Sequence, residues 1–192
     1  MNKVRNRRIY FFLPVPLLSF LYIVPVWKIS LGIPQYPKEV FIRIHIDRLE
    51  NGSEKAIEIL NVLNKSIGMK SIDPEIIPEL RLFPWLLGGL IFMGLVAAAM
   101  KHPLYRVAWT GLLIIAILAA IADFNLWLFD YGHDLSADAP IKIDGGSFQP
   151  PLIGTKVIAN FAVRSVPLAG AWIATASLLS ALFLALFENR EP

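Results

Sequence analysis

The residues best suited to chemistry in this chain lie in one short stretch, "LFDYGHDLSADAPIKIDGGSFQPPLIGTK", which covers residues 128–156. Asp130, His133 and Asp134 fall within five residues of each other there. An imidazole beside two carboxylates can bind one metal ion or exchange one proton, because a carboxylate bonded to one ring nitrogen leaves the other nitrogen free. The stretch therefore has two interpretations: a reactive or metal-binding site, or a polar docking loop stiffened by its glycines and prolines.

A further carboxylate, Asp123, precedes this cluster inside an apolar run. If one helix continues through the region, Asp123, Asp130 and Asp134 share a face of it. Asp123 is expected one to two turns inside the membrane boundary, where an unpaired charge costs up to about 2.5–3.5 kcal/mol. It is therefore predicted either to pair with a cation such as Lys156 or Arg164, which would hold two helices together, or to serve as a proton- or metal-linked carboxylate.

Two more side chains are candidate metal ligands, His45 and Met69. Neutral imidazole and thioether groups suit copper, particularly its reduced ion. The alternatives are an ordinary surface histidine and a packing methionine. The chain has no cysteine, which removes thiolate ligands. No HExxH or histidine-rich tract occurs in the sequence, so a di-metal or haem site built from this chain alone is not expected.

The elements that must position these residues are apolar. The chain is 56% hydrophobic and 17% charged, which favours a membrane protein over a soluble domain. Four apolar stretches are each close to the roughly 20 residues that a membrane-spanning helix needs. They cover residues of about 9–31, 83–100, 107–129 and 168–187. We therefore predict a mainly α, polytopic membrane protein of a single domain, residues 1–192, with four transmembrane helices.

The first of these stretches contains Pro14, Pro16 and Pro25, and small residues recur along the second and fourth. Proline bends a membrane helix and leaves a carbonyl without its partner, which neighbouring helices can bond. Small residues allow helices to approach closely. The sequence therefore predicts a kinked first helix that packs against the others.

Short basic flanks set the orientation. The N-terminal "MNKVRNRR" and the connector "KHPLYR" carry an excess of Lys and Arg, which the positive-inside rule places in the cytoplasm. Both termini are then cytoplasmic, and segments 32–82 and 130–167 lie together outside, which is the periplasm if the cell is Gram-negative. The basic residues form no helix or aromatic-interleaved patch, so no nucleic-acid partner is expected; the bilayer is the first partner.

The outer segments are predicted to form a small cap. "VFIRIHID" alternates in the manner of a half-buried strand, with Ile42, Ile44 and Ile46 on one face. The apolar spacing of "SEKAIEILNVLNKSIGM" predicts a helix, with Ser53 as its N-terminal cap and Gly68 at its end. "APIKI" offers a partner strand. We expect an extracytoplasmic strand-helix cap on a four-helix bundle.

Two segments carry a resemblance to a known group of proteins. "DYGHDLSADAPIKIDGGSFQPPLIGTKVIANF" and "NKSIGMKSI" resemble small multi-pass membrane proteins that accompany nitrous-oxide reductase genes in many bacteria. The resemblance implies an accessory protein of that copper enzyme's system, periplasmic loops, a transient copper site, and membrane or periplasmic partners of a copper reductase or respiratory system. The resemblance also implies a location in the cytoplasmic (inner) membrane of a bacterium and a histidine just before "IGM". This chain has Asn64, Lys65 and Ser66 there, which removes one implied ligand.

Three functions remain open. The first is an accessory membrane protein for an exported copper-dependent reductase, acting in maturation, copper supply or electron delivery, with Asp130, His133 and either Met69 or His45 as a transient metal site. The second is a non-catalytic structural subunit of a larger respiratory or transport complex. The third, a self-contained membrane enzyme or proton-coupled transporter, is disfavoured because the sequence supplies no second buried charge beside Asp123.

Overall fold

The computed structural model describes residues 10–33, 39–141, 148–158 and 161–188. The first half holds a short helix, three strands and an amphipathic helix: α1 (Pro14–Leu17), a 3-10 helix (Leu18–Tyr22), β1 (Trp27–Gly32), β2 (Val40–Ile44), β3 (Leu49–Asn51) and α2 (Ala56–Ile67). The second half holds two long helices, a strand pair and a last helix: α3 (Pro78–Ala99), α4 (Leu104–His133), β4 (Gly154–Ile158), β5 (Phe161–Pro167) and α5 (Ala169–Glu188).

Three helices among the described residues, α3, α4 and α5, are long and apolar enough to cross a membrane, with mean hydropathies of 2.0, 2.3 and 1.9. They confirm the last three predicted stretches, and the chain has the helices of a membrane protein. Helix α4 has 30 residues. At 1.5 Å per residue it is about 45 Å long and exceeds the roughly 30 Å hydrocarbon core by about ten residues.

The first predicted membrane helix, over about 9–31, is not one continuous helix. From residue 10 onwards, the chain has helical residues at Tyr10 and Phe11, a turn, then α1 and the 3-10 helix, before it becomes extended at β1. The prolines explain this difference. Pro14 and Pro16 lack amide donors, and Pro25 precludes a regular continuation after Tyr22, so the apolar "VWKISL" that follows enters the sheet instead.

This broken segment packs against the long helices, as its prolines predicted. Its side chains join an apolar cluster of buried residues from all three helices: Phe11, Val15, Leu18, Leu90, Ala97, Ala98, Trp109, Leu113 and Ala181. The Ser177 hydroxyl donates a hydrogen bond to the Pro14 carbonyl at 2.7 Å, and the Tyr22 hydroxyl donates one to the Pro84 carbonyl at 2.6 Å. The Ser177 bond thus satisfies a carbonyl of the irregular first segment, which a low-dielectric environment requires, and the Tyr22 bond ties that segment to α3.

Both outer segments contribute to one antiparallel sheet of five strands in the order β3-β2-β1-β5-β4. The central strand, β1, pairs with β2 on one side and with β5 on the other. The sheet of the cap therefore has more strands than predicted, since the sequence did not indicate β1, β4 and β5 as strands. The expected partner strand "APIKI" is not a strand over residues 139–141, and residues 142–143 lie outside the described residues.

Helix α2 covers one face of the sheet. Apolar residues of both form a second core with the end of α4: Ile29, Leu31, Ile33, Val40, Ile42, Ala56, Leu60, Ile72, Leu128, Phe148 and Val163. Gly68 ends the helix with φ of 82°, as predicted. Ser53 does not cap it. The Asn51 side chain accepts a hydrogen bond from the Ile57 amide at 2.8 Å and takes that role.

Candidate functional site

The last turns of α4 lie in the core of the sheet domain. Leu128 is fully buried there, and Phe124, Trp127 and Tyr131 pack around the same core. Phe124 meets the Trp27 ring edge-on at a centroid distance of 5.5 Å, where the membrane-packed N-terminal segment becomes β1. The helix therefore passes from the membrane cluster into the sheet domain, and the polar residues beyond Phe124 project from a fixed support.

The two segments that carry the resemblance touch each other, although about 70 residues separate them in sequence. The Ser136 amide donates to the Gly68 carbonyl at 2.8 Å, and the Ile141 amide donates to the Ser66 carbonyl at 3.1 Å. A Cβ on Gly68 would lie 2.9 Å from the Ala139 side chain. We call residues 66–71 with residues 131–141 the loop junction.

The segment "FQPPL", residues 148–152, folds back onto the end of α4. The Phe148 amide donates to the Gly132 carbonyl at 3.1 Å, and the Phe148 ring is buried. A Cβ on Gly132 would lie 2.4 Å from the Gln149 Cα, closer than real Cβ atoms approach. Glycine is required here because of a backbone contact and not because of helix termination, since α4 continues through His133.

His133 holds its ring in one orientation at this exit. Its ring stacks on Phe129 at a centroid distance of 3.9 Å, and its Nδ1 lies 2.9 Å from the Phe129 carbonyl oxygen. A carbonyl oxygen can only accept, so the neutral imidazole carries its proton on Nδ1 and its lone pair on Nε2. The side chain is exposed. Nε2 is thus the atom of His133 that could bind a metal ion or a proton.

The two aspartates beside it differ in their surroundings. Asp134 forms an ion pair with Lys70 at 2.6 Å across the loop junction. That carboxylate raises the pKa of the Lys70 amine above its ordinary value, mainly through the hydrogen bond. Asp130 is exposed one turn before His133 and forms no ion pair with the described residues. Of the predicted trio, Asp130 and His133 remain able to bind a ligand together.

His45 is not on an exposed face as predicted; it is 4% exposed. The chain turns after β2, and the ring is held by Glu50, whose carboxylate lies 2.8 Å from Nε2. Glu50 also accepts from Arg43 at 2.7 Å. Both contacts lower the pKa of the Glu50 carboxyl below its ordinary value, the His45 bond most. Nδ1 of His45 is buried and has no hydrogen-bond partner among the described residues.

Met69 is partly buried and packs against the core of the sheet domain. This position agrees with the packing alternative to a role as metal ligand. Within residues 10–33, 39–141, 148–158 and 161–188, no three His, Asp or Glu side chains are grouped so that they could hold a metal ion. His133 with Asp130 therefore supplies two candidate ligands in one chain, and the buried His45 is held in a separate contact with Glu50.

Asp123 lies one residue before Phe124, at the level where the sheet domain begins. No cation among the described residues forms an ion pair with it. Lys156 donates instead to the Gln149 carbonyl at 3.3 Å. The charged residue that acts on Asp123 is Glu79 at the start of α3, which has the same charge. The predicted pairing with Lys156 or Arg164 is thus absent among the described residues, and both of those residues lie in strands of the sheet, β4 and β5.

The fold defines a class: a membrane protein in which apolar helices hold a small antiparallel sheet domain at the end of the longest helix. Comparisons of the chain with protein-family models and with curated proteins give no match.

Proposed function

We propose that this chain is an integral membrane accessory protein for an exported copper-dependent reductase, with its sheet domain outside the cytoplasmic membrane and both termini inside. The observation that carries the proposal is the exposed Nε2 of His133 beside Asp130. A fixed imidazole lone pair at a membrane exit suits transient metal binding. The resemblance of the two segments that form the loop junction to proteins of the nitrous-oxide reductase system supports copper as the metal and a copper-dependent reductase as the partner.

The rigid support favours delivery or docking over transport. Leu128 and Phe148 fix the helix exit in the core of the sheet domain, so the site stands at a constant height above the membrane. A transient copper site needs such an accessible position, because its ion must be passed on to another protein. The chain would bring metal to the reductase or assist its maturation without a reaction of its own.

Cu(I) binding by the purified protein in detergent tests the metal role. We expect His133→Ala to weaken Cu(I) binding in competition with a chromogenic chelator and to leave the melting temperature nearly unchanged, since the ring is exposed. His102→Ala is the matched control, because His102 is also exposed but lies at the other end of α4. Equal Cu(I) affinity of His133→Ala and the parent protein would contradict the proposal.

A second candidate is a structural subunit that binds no metal. The contact that favours it is the loop junction itself, where backbone hydrogen bonds and the Lys70–Asp134 ion pair form a rigid surface for another protein. Copurification from native membranes separates the two: an exported copper enzyme supports the accessory function, and a stoichiometric set of membrane subunits supports the structural one. A reporter fused after Pro192 tests the orientation. A reporter that is active only when exported should be inactive there, and its activity would contradict a cytoplasmic C-terminus.

A further inference from the structure

We infer that the free edge of β4 is a docking site for an extended, acidic segment of another protein, which adds to the sheet as a further strand. The site uses neither His133 nor Asp130, so it does not rest on the proposed copper function. Strand addition is a recurrent way to recognise a peptide, because main-chain hydrogen bonds supply affinity and side chains on the two faces supply specificity.

β4 is the last strand of the sheet and is paired on one side only, with β5. A bond next to the other side of β5 shows which way its backbone groups point. The Leu168 amide donates to the Val26 carbonyl at 2.9 Å, so Leu168 and every second residue before it direct their amides and carbonyls towards β1. The residues between them, including Ser165 and Val163, therefore direct theirs towards β4.

Two residues of β4 keep backbone groups that the sheet does not use. Gly154 and Lys156 lie opposite the residues of β5 that face β4, so they take up the bonds between these strands. Thr155 and Val157 alternate with them and turn their amides and carbonyls outwards. No described residue bonds to these groups. An extended chain presents donors and acceptors at the matching two-residue spacing, which makes a strand the natural occupant.

The side chains of this edge do not protect it. Proteins usually block an exposed edge with charges, proline, a bulge or a very short strand. The opposite edge strand, β3, has only three residues. β4 has five and contains no proline, and its one charged side chain, Lys156, is bonded to the Gln149 carbonyl at 3.3 Å. Val157 beside it is 70% exposed. The edge is thus open to a further strand.

The charge beside the edge selects the chemistry of the added strand. Arg164 lies opposite Thr155, so the two side chains project from the same face of the sheet. The Arg164 side chain is exposed and forms no hydrogen bond or ion pair with the described residues. Glu39, on which its charge acts, is already bonded to Lys28 at 2.9 Å. An acidic residue placed opposite Thr155 in the added strand would meet this guanidinium.

A second copy of this chain fits the edge poorly. β5 leads directly into the apolar helix α5, so β5 runs towards the membrane and β4 runs away from it. Two copies in one bilayer are related by an axis along the membrane normal, which preserves the direction of a strand. Their β4 strands would pair in parallel, which is less stable per residue, whereas all pairs of described strands are antiparallel. A segment of another protein has no such restriction.

Peptide binding to the purified protein in detergent tests the edge, with fluorescence anisotropy as the readout. The probe is a short labelled peptide that alternates valine and glutamate, made in two N-methylated forms. In an antiparallel pair, the residues opposite Thr155 and Val157 share their face and turn their amides towards β4. Glutamates that reach Arg164 therefore pair through their own amides.

N-methylation of the glutamates blocks this pairing, whereas N-methylation of the valines blocks only the far edge of the peptide. The two forms have the same composition and charge. We expect the N-methylvaline form to bind at least about ten-fold more tightly, because each blocked amide removes a hydrogen bond. Equal binding of the two forms, or tighter binding of the N-methylglutamate form, overturns the inferred pairing.

Proline substitution tests the direction of the backbone groups in the protein itself. Val157→Pro removes an outward amide, so it should keep the melting temperature near that of the parent and weaken binding of the N-methylvaline peptide about ten-fold. Lys156→Pro is the matched control, because the Lys156 amide bonds to β5 and its loss should lower the melting temperature by several degrees. A Val157→Pro protein that binds like the parent, or that melts as low as Lys156→Pro, overturns the inference.

The charge and the occupant are tested with the same peptide. Arg164→Gln should weaken its binding several-fold, whereas Lys65→Gln, which removes an exposed charge from α2, should not. Equal effects overturn the assignment of an acidic partner. A dimer of the purified parent that Val157→Pro converts to monomer would assign the edge to a second copy and overturn the partner. None of these measurements involves Cu(I), so a failure here leaves the copper proposal standing.

Discussion

Gly132→Ala should destabilise the protein, although alanine favours a helix over glycine. The added Cβ would lie 2.4 Å from the Gln149 Cα and 2.5 Å from its amide nitrogen. These are backbone atoms, held by the Phe148 amide bond to the Gly132 carbonyl and by the buried Phe148 ring. The segment cannot yield by a simple side-chain rotation, so it must move away from α4.

The magnitude follows from three contributions. Forcing an extra methyl group into a filled space costs about 1–3 kcal/mol. Weakening the Phe148 amide bond to Gly132 costs about 0.5–1.5 kcal/mol. The better helix propensity of alanine returns about 1 kcal/mol. The net loss is roughly 0.5–3.5 kcal/mol, and for a chain of this length each kcal/mol lowers the melting temperature by about 2–4 °C.

The assay is thermal unfolding in detergent followed by tryptophan fluorescence, with Gly111→Ala as control. Gly111 lies in the same helix, and a Cβ there would meet nothing within 4 Å. Its replacement should leave stability unchanged or raise it by up to about 1 kcal/mol. If Gly132→Ala melts at or above the temperature of Gly111→Ala, the close approach of "FQPPL" to the helix exit is refuted.

Three further outcomes are expected from the same unfolding assay. Ser177→Ala removes the buried hydroxyl bond to the Pro14 carbonyl and should cost about 1 kcal/mol. The half-buried Ser180 bonds only the Ala176 carbonyl of its own helix, so Ser180→Ala should change little; equal effects of the two changes would contradict the role of the Ser177 bond. Glu50→Gln should lower stability at neutral pH, because bonding, above all to His45, lowers the pKa of the Glu50 carboxyl. The stabilisation by the ionised Glu50 carboxylate is fully present above the ordinary pKa of a glutamate and is lost as the pH falls through the lowered pKa of Glu50. A difference in stability between parent and variant that persists in strong acid would refute this explanation. Asp123→Asn should stay within about 0.5 kcal/mol of the parent because no described cation depends on it, and a large loss would indicate a partner.

The membrane character and three of the spanning helices could be predicted because they depend on local properties. A run of about 20 apolar residues must hydrogen bond internally in lipid, so the sequence of α3, α4 and α5 was sufficient to predict each helix. Helix α2 and its end at Gly68 were predictable for the same reason, since periodicity and a left-handed glycine are encoded within a few residues.

The sheet was decided by tertiary structure. β1 ends an apolar stretch that is long enough for a membrane helix, and only its pairing with β2 and with the distant β5 makes it a strand. The candidate site divides in the same way. The sequence identified His133 and Asp130 by residue type, and the Phe129 carbonyl one turn earlier fixes which nitrogen of His133 is free. Which aspartate is already engaged depends on a long-range contact, because Lys70 forms an ion pair with Asp134. Local pattern thus determined which residues were available, and the folding of distant segments onto the end of α4 determined which of them face outwards.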